Sequence, residues 1–121
     1  MSEQIVISTG ALFGLLAVIF GAFGAHALKQ TLSENQLKSF DVGVRYQMYH
    51  AIVLLILGYS SIDTAHVVYW CFTLGIILFS FSIYVLVLFD AKGRKLKFLG
   101  PVTPIGGLLL VLGWLLICFQ F

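Results

Sequence analysis

The sequence predicts an all-α membrane fold: a four-transmembrane-helix bundle with a short amphipathic interfacial helix between helices 1 and 2. Two observations predict it. Apolar residues make up 60% of the 121-residue chain and charged residues only 10%, against about 45–50% and about 25% in ordinary soluble domains. The few charges also leave residues 4–28, 46–62, 64–89 and 98–121 without any, each near the roughly 20 residues a spanning helix needs. A soluble bundle would carry a polar stripe on every helix. The chain reads as a single integral domain, residues 1–121, with spans at about 5–27, 45–62, 66–90 and 98–120.

Span one, "IVISTGALFGLLAVIFGAFGAHAL", offers only Ser8, Thr9 and His26 as polar groups. Ala25-His26-Ala27 imitates a signal-peptidase site, but no Lys or Arg precedes the apolar run and the run is too long for a signal peptide. It is therefore expected to stay as a span. Gly10, Gly14, Ala17, Gly21 and Gly24 form one seam at helical spacing. In lipid, small residues let helix backbones approach closely, so the seam is expected to pack on another helix of the chain or on a second subunit.

In "KQTLSENQLKSFDVG", Ser33 and Gln36 fit a capping box flanked by a Leu32–Leu37 staple. Leu37, Phe40 and Val44 recur at helical spacing, which predicts a short helix lying at the interface, with Gly43 as a bend before span two. One continuous helix from Glu34 to Ser60 is the alternative. "GYSSIDTAH" predicts a short turn, headed on its far side by His66, and "AKGRK" a compact basic turn around Gly93. In "FLGPVTPIGG", Pro101 suits a helix's first turn, whereas Pro104 and Gly106-Gly107 predict an irregular entrance with Thr103 available to freed backbone groups. Tyr69, Trp70 and Trp114 read as interfacial or core aromatics. Cys71 and Cys118 lie in apolar runs and are expected to pack as small hydrophobes.

All seven Lys and Arg residues fall in two connections: Lys29, Lys38 and Arg45 in one, Lys92, Arg94, Lys95 and Lys97 in the other. With four spans the two share a side. The positive-inside rule then predicts both connections in the cytoplasm and both termini outside.

The stretch "VRYQMYHAIV" puts a cation, an amide, two phenols and an imidazole at the mouth of predicted span two. On a helix, Arg45, Tyr46, Tyr49 and His50 spread over about 140°, with Gln47 at the border. Two readings stand. One is interfacial anchoring, with Tyr in the headgroup belt, Arg45 snorkelling and Asp41 pairing with it at i, i+4. The other is a polar pocket at the basic end of the bundle, formed by His26, Arg45, Tyr46, Gln47, Tyr49, His50, Asp90 and Thr103.

The blocks "FGAFGAHALK", "FDVGVRYQMYHAIVLL", "LFSFSIYVLVL" and "GPVTPIGGLLLVLGW" occur in this order. Nearly the whole chain thereby resembles the YwdK/YgdD-like family of small bacterial membrane proteins, a domain of unknown function. It departs where that pattern often has Gly-Ser in helix three and Phe81-Ser82 stands here. The resemblance implies a four-span protein of the bacterial inner membrane and no known activity.

No Ser-His-Asp set, carboxylate pair, metal motif or phosphate loop stands in the sequence, so no enzyme, metal, cofactor or nucleic-acid partner is expected. Haem held by His26 and His50 would need the two at one depth. A small transporter or channel could use the same histidines as proton-responsive groups, though proton relays commonly employ an acid inside a span. A non-enzymatic component that organises membrane lipids, a homo-oligomer or a membrane-protein partner requires no missing chemistry.

Overall fold

A computed structural model describes residues 2–60 and 64–119. All regular structure among these residues is helical, with no strand. Helix α1 is Glu3–His26, α2 is Glu34–Tyr59, α3 is His66–Ile76, α4 is Ser82–Ala91 and α5 is Val102–Cys118. A π-helical turn, Ile77–Phe81, joins α3 to α4 without a break, and a 3-10 turn, Lys97–Leu99, precedes α5. Four helical rods are long and apolar enough to cross a membrane: Glu3–His26, Glu34–Tyr59, His66–Ala91 and Lys97–Cys118. The predicted turn at 58–66 and the end of span four fall partly on residues 61–63 and 120–121, outside the described residues.

The seam of α1 lies along α2 of the same chain. Gly24 faces the ring of Phe40, Gly21 faces Val44, Gly14 faces Ala51, and Gly10 faces the Ala51 carbonyl and Leu54. Gly58 answers from α2 against Ile7. A Cβ at Gly10 would stand 2.9 Å from the Ala51 oxygen, whereas at Gly14 it would meet nothing closer than 3.9 Å. The seam is therefore tight at its ends and looser at its centre. The second close pair is α3 and the π turn against α5. There Gly75 receives Leu110, Gly113 receives Phe72, and Gly106 lies against the Phe79 and Leu78 backbone. Rings of Phe13, Phe20, Phe81 and Tyr84 meet edge-on or tilted between the two halves.

The interfacial helix is corrected. Residues 34–59 form one 26-residue helix, because Gly43 does not bend the chain. Its missing side chain makes room for Tyr84, whose ring edge would stand 2.7 Å from a Cβ there, and its carbonyl accepts a 2.7 Å bond from Ser80. The capping box at Ser33 and Gln36 is present, and Leu32 and Leu37 share one cluster with Phe40 and Tyr84. The basic turn ends α4 as expected. Gly93 takes φ 79°, Arg94 N–H reaches the Phe89 carbonyl and Gly93 N–H the Asp90 carbonyl, the paired bonds of a Schellman ending. Gln36 Nε2 donates to Asp90 at 2.8 Å, which fixes both basic connections at one end of the bundle.

Candidate functional site

The eight residues expected to share a pocket occupy six separate places, not one cavity. His26 is the exposed last residue of α1. Asp90 is exposed and holds Gln36. Thr103 pairs with Ser82 between α5 and α4. Arg45 Nε bonds Asp41 at 2.8 Å, one turn earlier on the outer surface of α2. Gln47 faces the opposite way, into the bundle. Only Tyr46, Tyr49 and His50 remain together, beside α5. Since α2 begins at Glu34, these residues are not at its mouth. Val44 is level with Gly21 and Ala51 with Gly14, so His50 lies near the mid-length of α1. His26 is about 18 Å further along α1 at 1.5 Å per residue, too far to share a haem iron.

Most interior polar groups are spent on one another or on backbone carbonyls; the buried Thr73 hydroxyl has no partner among the described residues. Gln47 is fully buried; its Nε2 donates to the Phe13 carbonyl at 2.8 Å and its Oε1 accepts from Tyr84 Oη at 2.7 Å. Ser80 donates to the Gly43 carbonyl, and the hydroxyls of Thr9 and Tyr69 share a 2.7 Å bond. This network ties α1, α2 and the long third rod together, and each bond between transmembrane helices contributes about 0.6 kcal/mol. The sequence singled out Gln47 but not Tyr84 or Ser80. Their i, i+4 spacing, which puts both on one face of the span, was the available signal.

Helices α2 and α5 are joined by side chains across a groove of about 540 Å³, lined by Tyr46, Tyr49, His50, Phe79, Gly107 and Trp114 among others. Trp114 Nε1 donates to His50 Nε2 at 2.9 Å. The indole nitrogen only donates, so Nε2 accepts and the ring proton sits on Nδ1, 2.6 Å from the Tyr46 carbonyl. Two partners thus fix a neutral imidazole that ties α2 to α5. Trp114, read in the sequence as an interfacial or core aromatic, is half of this tie. Tyr46 lies against Phe79 at 5.1 Å between ring centres. The side chains of Tyr46 and Tyr49 are exposed, and their hydroxyls have no hydrogen-bond partner among the described residues.

Four apolar rods with all Lys and Arg gathered at one end define a small multi-pass membrane protein. The chain belongs to the DUF423 family: the family model, described as "Protein of unknown function (DUF423)", matches residues 20–107. It is 43% identical over 117 residues to the UPF0382 membrane protein SAB0533 of Staphylococcus aureus (strain bovine RF122 / ET3-1), covering 94% of this chain and 92% of that one. It is 35% identical over 119 residues to the UPF0382 membrane protein YwdK of Bacillus subtilis (strain 168), covering 94% and 93%. No solved structure matches the chain.

Proposed function

We propose that the protein is a non-enzymatic component of the bacterial cytoplasmic membrane that organises surrounding lipid, with both termini outside and both basic connections in the cytoplasm. One observation carries this reading. Inside the bundle Gln47 and His50 are both engaged by protein partners, while the exposed side chains of Tyr46 and Tyr49 find no protein partner for their hydroxyls among the described residues. An unpaired hydroxyl in hydrocarbon costs several kcal/mol, so its natural partner is a lipid oxygen.

A small transporter or channel is favoured by a different observation: Gln47 and His50 lie at mid-length of α2. Against it, both arms of Gln47 are engaged and it is fully buried. Both ring nitrogens of His50 are also engaged.

Deuterium NMR of chain-deuterated phospholipid vesicles tests the organising role. The protein is expected to raise acyl-chain order at the depth of the groove. An order profile identical to that of vesicles holding an unrelated four-span bundle overturns it. Orientation is tested separately with Ser2→Cys and Lys95→Cys in intact cells. Only the first is expected to react with an impermeant thiol reagent.

A further inference from the structure

We propose that the α2–α5 groove is a binding site for one phospholipid of the leaflet at the basic end. The phosphate would sit on Arg45, the glycerol ester oxygens on Tyr46 and Tyr49, and an acyl chain in the groove. This deepens the lipid-organising reading and rests on it.

The outer face of α2 is graded in the order of a phospholipid's own parts. From the basic end it presents Arg45, then the phenols of Tyr46 and Tyr49, then Ile52 and Ile56, all exposed. Arg45 to Ile56 spans about 16 Å at 1.5 Å per residue, so cation, donors and apolar wall follow one another along a single extended molecule. Arg45 spends its Nε on Asp41. Its two terminal amino groups make no other ion pair among the described residues and retain the planar fork that suits a phosphate's oxygens. Tyr46 follows Arg45 directly and Tyr49 lies about one turn deeper. Tyr49 falls between the levels of Gly14 and Gly21 of α1, below the depth of an ordinary headgroup contact, and helical side chains lean back toward the N-terminus. That lean carries an exposed phenol on α2 toward the basic end, where ester oxygens can accept.

A separate observation on α5 points to an occupant. Gly106 is a glycine that packing demands, since a Cβ there would stand 2.3 Å from the Phe79 nitrogen. Its neighbour Gly107 is not: a Cβ would meet only the Phe79 ring edge, at 3.5 Å, an ordinary contact. No helix fills the space beside Gly107. The absent side chain instead keeps the groove open along α5, between Phe79 and Trp114.

Trp114 supplies the reporter, once Trp70 is replaced in a Trp70→Phe variant. The purified protein in excess detergent is titrated with a phospholipid brominated on its acyl chain, which quenches indole fluorescence on contact. The expected result is quenching that saturates near one lipid per chain. Gly107→Leu should abolish the saturable part. Arg45→Ala should weaken it about tenfold or more, as loss of a charged hydrogen bond does, and Arg45→Lys should fall between. Tyr49→Phe removes a hydroxyl without altering shape and should weaken binding several-fold, so the site stays testable even where Gly107→Leu perturbs folding. Quenching that rises without saturating, or saturable quenching unchanged by both Tyr49→Phe and Arg45→Ala, overturns the proposal. So does a groove closed to lipid because light scattering shows a dimer that Gly107→Leu disrupts, which would assign it to a second copy. Absence of the acyl-chain ordering effect while saturable quenching persists would instead overturn the organising function and leave the site standing.

Discussion

Two adjacent glycines show how differently the same residue can be used. Gly106 lets α5 touch the backbone of the π turn, and Gly107 touches almost nothing. Gly106→Ala forces the two rods apart and is expected to cost about 1–3 kcal/mol by overpacking. Gly107→Ala is expected to leave stability unchanged or slightly raised, since alanine loses less backbone freedom. Thermal melting of both variants in one detergent checks the contrast, and equal losses would contradict it. Gln47 gives a second test. Gln47→Leu leaves Tyr84 Oη without its acceptor in the core and should destabilise by about 1–3 kcal/mol. Adding Tyr84→Phe should recover part of that loss, because removing both partners costs less than stranding one. Strictly additive losses in this double-mutant cycle would mean the bond contributes nothing. The glycine seam of α1 was legible in the sequence, because spacing alone puts those residues on one line. The inward aim of Gln47 was not. Helical period fixes its angle from Tyr46 and His50, but which side faces the bundle depends on where α1 and the third rod pack.

Helix α2 is where local and tertiary signals conflict. Its capping box at Ser33 was readable, and so was an amphipathic first half. Yet Gly43, which in sequence resembles a hinge, is a contact site for Tyr84. The charges along that first half do not force it out of the bundle either. Glu34 lies near Lys38 at 3.9 Å and Asp41 bonds Arg45, each at i, i+4, so opposite charges offset one another along the rod. Spin labels at Lys38→Cys and Ile56→Cys should therefore report backbone positions about 27 Å apart, the length of 18 residues in one straight helix. A distance near 21 Å, expected for a right-angle bend at Gly43 with the same rise, would restore an interfacial helix. The π turn at Ile77–Phe81 had no readable signal beyond its position in the block that departs from the family pattern. It leaves α3 and α4 as one rod and puts Ser80 on α2 while Ser82 turns to Thr103 on α5.

At the scale of the whole molecule, four spans and a shared basic end followed from the distribution of twelve charges in 121 residues (7 Lys and Arg, 5 Asp and Glu). The polar cluster did not follow. Residues adjacent in the chain, such as Arg45, Gln47 and His50, are sent by one helix to the outer surface, the core and the α5 groove respectively. The resulting bundle has Gln47 and His50 engaged within the protein and a groove on its outside, so its work is expected on its lipid-facing surface. The most direct measurement is the retention of an imposed pH gradient in vesicles reconstituted with the purified protein and loaded with a pH-sensitive dye. Decay as slow as in protein-free vesicles, unchanged in Gln47→Leu and in His50→Gln, is the predicted result. Rapid decay that either substitution abolishes would contradict a closed interior and make the protein a conductor of protons.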